Sequence, residues 1–103
     1  MPEPYAVPYQ ERLNRRGVRD QWVIPDMGSI RVVCRMHWKV DGIQYMEGSA
    51  KKWIRHPRDG EWVVWVAFAD LRMHQGGTWL EVRDVRRVEK APASWRAQMR
   101  RDI

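Results

Sequence analysis

Residues 29–47 read SIRVVCRMHWKVDGIQYME, and no other stretch constrains the fold as tightly. Ile30, Val32, Cys34, Met36, Trp38 and Val40 alternate with Arg31, Val33, Arg35, His37 and Lys39. Successive side chains of a strand point to opposite faces, so this period of two marks a strand with one buried and one wet side. Asp41-Gly42 then suits a two-residue type I′ turn, whose central positions both need positive φ. That turn sets Val40 opposite Ile43 and Trp38 opposite Tyr45, apolar against apolar. The wet side of the first strand carries Arg31, Arg35 and Lys39.

Residues 1–8 hold three prolines and no period, and are expected to form an extended arm lying on the domain through Tyr5 and Val7. Tyr9–Arg16 can make two helical turns, with Leu13 one turn beyond Tyr9 and Gly17 as a stop. Trp22-Val23-Ile24 fits an edge strand ending at Pro25. Gly48-Ser49 ends or bends the second strand, and residues 50–56 form a third, anchored by Trp53. His56-Pro57-Arg58-Asp59-Gly60 has the composition of a tight turn. In the next strand Trp62, Val64, Val66 and Phe68 share one face and Val63, Trp65 and Ala67 the other. Both faces are apolar, so that strand is central or is covered by the N-terminal arm, the C-terminal helix or a partner subunit. Thr78–Val82 is a further strand, 83–85 fits one 3₁₀ turn, and 86–89 a last short strand. Ser94 is placed to cap a helix over Trp95–Arg101, with Trp95, Met99 and Ile103 as its apolar stripe.

This order resembles the SH3-like or Tudor-like small β-barrel. The likeness is carried by the ending Trp79–Val88 (WLEVRDVRRV) and by the Asp-Gly hairpins, and it covers residues 22–89. It implies a mainly β fold: a small five- to six-stranded antiparallel SH3-like barrel with short N-terminal and C-terminal helices. Residues 1–21 are then an arm and short helix, 22–89 the barrel, and 90–103 a basic C-terminal helix. A small open sheet with a helix on one face is the alternative. The likeness is one of architecture, and no site residue is carried over from it.

The chain has 103 residues, which is one domain, and seven tryptophans, most of which must lie in the core. The formal charge is +6, and most of the basic residues are arginine, whose planar fork suits phosphate and aromatic faces. The excess is concentrated in residues 83–103, which carry seven basic and three acidic side chains. One cysteine excludes an internal disulfide. No apolar run reaches the roughly 18 residues of a membrane span, and the start of the chain lacks the pattern of a signal peptide, so a cytoplasmic protein with no membrane partner is expected. Heavy use of Arg, Val, Gly and Trp fits a gene of high G+C content, in a bacterium or in a phage or plasmid resident in one.

The sequence offers no catalytic residue. Cys34 and His37 fall on opposite faces of a strand and cannot share an ion, His56 and His74 lie in loops, and no metal or other cofactor is expected. Ser29, Ser49 and Ser94 stand at turns or a cap, where hydroxyls bond the backbone. Gly76-Gly77 lacks the lysine of a phosphate loop. What remains is a binding protein. The candidate contacts are Arg31, Arg35 and Lys39, widened by Lys52 and Arg55, together with Arg86, Arg87, Arg96, Arg100 and Arg101 near the C-terminus. Trp65 or Trp79 is the candidate stacking platform. The expected partner is nucleic acid or an acidic protein or nucleoprotein, and a homodimer through the two-faced strand or the C-terminal helix is the further possibility. The plain alternative is a solvated outer face whose cations pair with Glu47, Glu61 and Glu81. In a second functional reading, the protein is a phage- or plasmid-encoded module that docks on and modulates a host or defence nucleoprotein.

Overall fold

The computed structural model describes residues 10–18, 28–73 and 76–100, with Arg100 in its backbone alone. Strand β1 spans Ile30–Trp38, β2 Gly42–Arg55, β3 Trp62–Ala67, β4 Gly77–Glu81 and β5 Val85–Arg87. They form one antiparallel sheet in the order β4-β3-β2-β1-β5. A 3₁₀ turn over Val82–Asp84 joins β4 to β5, and a second over Val88–Lys90 leads to the short helix α1, Ala93–Gln98. Met99–Arg100, β6, then pairs in parallel with Tyr45 and Met46 of β2.

The fold is mainly β, as expected, but the sheet is open where a closed barrel was expected, because its end strands β4 and β5 do not pair. Residues 10–16 occupy the gap between β4 and the exposed edge of β1. Isolated bridges join Arg12 to Trp38 and Arg15 to Leu80. Leu13 N donates to His37 O at 2.7 Å, Lys39 N to Glu11 O at 2.9 Å and Arg16 N to Trp79 O at 2.9 Å. The Asn14 side chain stands in for a strand residue, donating to Arg35 O and accepting from His37 N. These bonds replace the helix expected over Tyr9–Arg16, which is not seen. A two-turn helix is too short to hold alone, and this backbone satisfies its polar groups on two sheet edges instead. Tyr9 itself, the arm before it and the expected strand at Trp22–Ile24 lie outside the described residues.

The alternation read from β1 is present: Val32, Cys34, Met36 and Trp38 are buried on one face. With Met46, Ala50, Val64, Val66, Met73, Leu80 and Val85 they form the core. Trp38 is wholly buried, with the Arg72 guanidinium 4.0 Å from its ring centroid. Asp70 and Asp41 hold that guanidinium in ion pairs of 2.7 and 2.8 Å.

The register differs from the one the Asp-Gly pair suggests. Trp38 faces Gly42, and Arg35 faces Tyr45, so three residues, 39–41, connect the strands. A type I′ turn needs positive φ at Asp41, and no described residue other than glycine has one; Gly42 alone turns left-handed there, at φ +75°. The pairing shifts by an odd number of residues, which puts Tyr45 and Ile43 on the face opposite Trp38.

β2 is one strand of 14 residues where the sequence suggests two. Its first part pairs with β1 and its second with β3, and only Ser49 and Ala50 pair with both. Gly48 sits tight against β3: a Cβ there would lie 2.7 Å from Val66 Cγ1 and 3.0 Å from Ala67 O. One extra residue, Lys51, bulges between Ala50 and Lys52. The bulge resets the alternation, so Met46 and Ala50 face the core before it and Trp53 packs on the core after it.

The C-terminal segment is also shorter as a helix than expected. α1 ends at Gln98, its N-cap is Pro92 rather than Ser94, and Met99 is already strand. Trp95 alone of the expected stripe docks from the helix, its ring 5.0 Å from that of Tyr45. Ile103 and Arg101 lie outside the described residues.

Replacing Gly48 by alanine should lower stability by about 1–3 kcal/mol, the usual cost of overpacking. Gly17→Ala, with nothing within 4 Å and no left-handed backbone, should be near neutral. Chemical denaturation of both variants checks this.

Candidate nucleic-acid interface

The three ladder cations are not a row of free charge. Arg31 pairs with Glu47 across the β1–β2 ladder. Lys39 falls beyond the end of β1, in the turn, with its ammonium 3.7 Å from Glu11. Arg35 is the most firmly held. Its Nε and Nη2 both donate to Asp84 Oδ1, at 3.0 and 2.8 Å, and Asn14 Nδ2 donates to the other carboxylate oxygen. The Asp84 side chain is only 7 % exposed. Hydrogen bonding to Asp84 outweighs burial and raises the Arg35 pKa further. The other two pairs are exposed, and ion pairs of that kind contribute roughly 0–1 kcal/mol. Arg31 and Lys39 therefore remain open to an external anion, while Arg35 does not.

The candidates after β4 divide in the same way. Arg86 closes off the 3₁₀ turn, its Nη1 donating to Val82 O, Arg83 O and Val85 O at 2.9–3.1 Å. Arg35 and Arg86 both lie near the Trp95 ring, at 5.6 and 5.4 Å from its centroid. Arg87, Lys90 and Arg96 are exposed, and none has a carboxylate partner among the described residues.

The distal half of β2 and its turn into β3 carry further cations outside the ion pairs, as does Arg15 in the N-terminal segment. Lys51 and Lys52 are half-buried, Arg58 is exposed, and none of the three has an acidic partner among the described residues. Lys52, Trp65 and Trp79 lie in one row across β2, β3 and β4. The two indoles of that row meet each other, with centroids 5.6 Å apart and planes at 59°. Trp65 also lies over Gly77, where a Cβ would come within 2.8 Å of its ring. Both nominated indoles are half-buried in packing of this kind. The exposed indole among the described residues is Trp62, at 46 %. It faces Arg55 across the end of the β2–β3 ladder, with the guanidinium 5.9 Å from its centroid. The alternation of residues 62–68 places Trp62 on the core face but does not tell that the core stops short of it.

The turn between these strands is braced. His56 N donates to Glu61 O at 2.7 Å and Gly60 N to His56 O at 2.8 Å, with Gly60 left-handed at φ +73°. His56 Nδ1 accepts from Arg58 N, so the ring proton sits on Nε2, which donates to Gly17 O at 3.0 Å. Arg16 bridges Asp59 and Glu81, at 2.5 and 2.8 Å. The Glu61 N–H, and after it Arg16, hold the Asp59 carboxyl below the ordinary carboxylate range.

Cys34 is wholly buried, and burial pushes its thiol up to about 12, far from a nucleophile's range. His37 is exposed on the opposite face from Cys34. Among the described residues no three His, Cys, Asp or Glu side chains gather as metal ligands. No described helix is long and apolar enough to cross a membrane. The chain matches no protein-family model, no curated protein and no solved structure.

The Asp59 brace has a testable pH dependence. A carboxyl whose folded pKa is lowered stabilises the fold above its unfolded value, and that contribution is lost as pH falls through the folded value. Asp59→Asn should therefore be less stable than the parent at neutral pH, and the difference should vanish in acid below the usual carboxylate range. Unfolding midpoints measured against pH check it.

Proposed function

We propose that this is a small, basic, non-enzymatic protein that binds nucleic acid, mostly through phosphates and without strong sequence selectivity. The observation that carries the reading is an asymmetry of pairing. Among the described residues, Glu11, Asp41, Glu47, Asp59, Asp70, Glu81 and Asp84 all sit in internal ion pairs, and only Glu61 and Glu89 stand outside them. Lys51, Lys52, Arg55, Arg58, Arg87, Lys90 and Arg96 stand outside them as well. Among the described residues the net positive charge is thus carried by side chains that none of the described acids neutralises, and a polyanion is the partner that such charge attracts.

On this reading Lys52 and Arg55 on the sheet, with Arg87 and Arg96 after it, supply the phosphate contacts, and Arg100 and Arg101 extend them. Arg31 and Lys39 can exchange a weak exposed partner for a phosphate. Arg35 and Arg86 act by supporting Trp95. We read the strand order, with one 3₁₀ turn before the last strand of the sheet, as an SH3-like or Tudor-like small barrel whose seam is left to residues 10–16.

A specific observation favours the second reading, a phage- or plasmid-encoded module that docks on a host or defence nucleoprotein. Leu13, Val40, Ile43 and Leu71 are all more than half exposed. The bonds of Leu13 N to His37 O, Arg72 to Asp41 and Gln10 to Asp41 bring their segments to one end of the sheet. Exposed apolar residues gathered in this way suit a protein partner. A pull-down with and without nuclease separates the two readings: loss of the partner after nuclease treatment supports the first, retention the second.

Affinity for nucleic acid should fall steeply with salt, with a slope near −0.7 to −0.9 per phosphate neutralised, and Arg87→Glu should make that slope shallower by about one contact or more. A flat response, or no binding at about 50 mM salt, overturns the reading.

A further inference from the structure

We infer that the β2–β3 hairpin end is a single-strand site, in which one base stacks on Trp62 and the neighbouring phosphates lie on Arg55 and Arg58. The inference rests on the nucleic-acid reading above and narrows it to unpaired strands.

Among the described residues Trp62 is the indole that the fold leaves open. Trp38 is enclosed in the core and Trp53 packs against it. Trp65 and Trp79 hold each other, and Trp95 is set on Tyr45. Trp62 opens β3, ahead of the first core residue of that strand, 46 % exposed, with Arg55 beside its ring. An apolar ring of that size is left in water at a cost that a stacked base would remove.

The support is stiff. Arg55 Nε donates to Gly60 O at 3.0 Å, which ties the guanidinium near the ring to the turn itself. Glu61 N donates to Asp59 Oδ1 at 3.0 Å, and His56 secures the turn to Gly17. Little ordering is left to be done on binding, so contact energy is not spent on it.

The charge suits an anion. Asp59 is already satisfied by Arg16, while the Arg58 side chain has no partner among the described residues. Glu61 is the one unpaired carboxylate beside the indole. Arg55, Arg58, Lys51 and Lys52 outnumber it within the same hairpin. A duplex would meet these cations but not the ring, since its base faces are hidden in the stack; an unpaired strand offers both.

The test compares the parent with Trp62→Leu and Arg58→Gln, both exposed positions, on an oligothymidylate of about 15 nucleotides and on a duplex of matching length at about 50 mM salt. Trp62→Leu should weaken single-strand binding about tenfold or more, leave duplex binding unchanged and leave the unfolding midpoint where it is. Arg58→Gln should weaken both and lower the salt slope. If Trp62→Leu binds the single strand like the parent, or loses strand and duplex by the same factor, the inference falls while the nucleic-acid reading stands. If the parent binds neither, both fall. If poly-glutamate competes as well as oligothymidylate at equal charge, the hairpin end is an acidic-protein site and the inference falls.

Discussion

The sheet is held together by one strand that serves two partners. β2 gives its first part to β1 and its second to β3, and next to the shared residues lies Gly48, where a Cβ would press on the Val66 side chain and the Ala67 carbonyl of β3. The bulge at Lys51 is the second half of the device. Without it the alternation would carry on unbroken, and Trp53 would point away from the core that Met46 and Ala50 face. Several candidate contacts inherit their position from this strand. Tyr45 presents the surface on which Trp95 lands, Lys52 heads the row of Trp65 and Trp79, and Arg55 meets Trp62 at its far end.

The charge pattern follows from the same geometry. Antiparallel pairing puts Glu47 across from Val33, within reach of Arg31, and the 3₁₀ turn after β4 brings Asp84 up to Arg35. Residues 10–16, filling the open side of the sheet, bring Glu11 to Lys39 and Arg16 to Asp59 and Glu81. Acids and bases far apart in the chain thus cancel at the seams, where they fasten the segments to each other. Among the described residues, what is left uncancelled lies on the hairpin end, on the stretch after β4 and at Arg15, and it is nearly all positive.

Local patterns in the sequence located much of this. The apolar face of β1, the turn at residues 56–60, the two-faced β3 and the 3₁₀ turn before β5 all follow from spacing and turn chemistry that act over a few residues. The misreadings share one cause, which is that tertiary contacts decided among local options of similar cost. Asp41-Gly42 allowed two hairpin registers, and the three-residue connection prevailed with Asp41 at ordinary φ. Gly48-Ser49 looked like a strand end, yet the glycine is there to let β3 approach. Residues 10–16 have a helical spacing that two sheet edges overrode. For Trp65 and Trp79, which are half-buried and meet each other, alternation tells which face each indole takes, not how much of it its neighbours cover. Trp62 escaped notice because the reach of the core along β3 is a property of the whole packing.

The parity of β2 against β1 is the claim from which the positions of Tyr45, Trp95 and the hairpin cations descend. Nuclear Overhauser contacts from the Tyr45 ring test it most directly. The structure places that ring 5.0 Å from Trp95, so strong contacts to the Trp95 indole are expected and none to Trp38. Contacts from Tyr45 to Trp38 instead would mean the two-residue turn, the opposite parity and a different outer face, and would contradict the account.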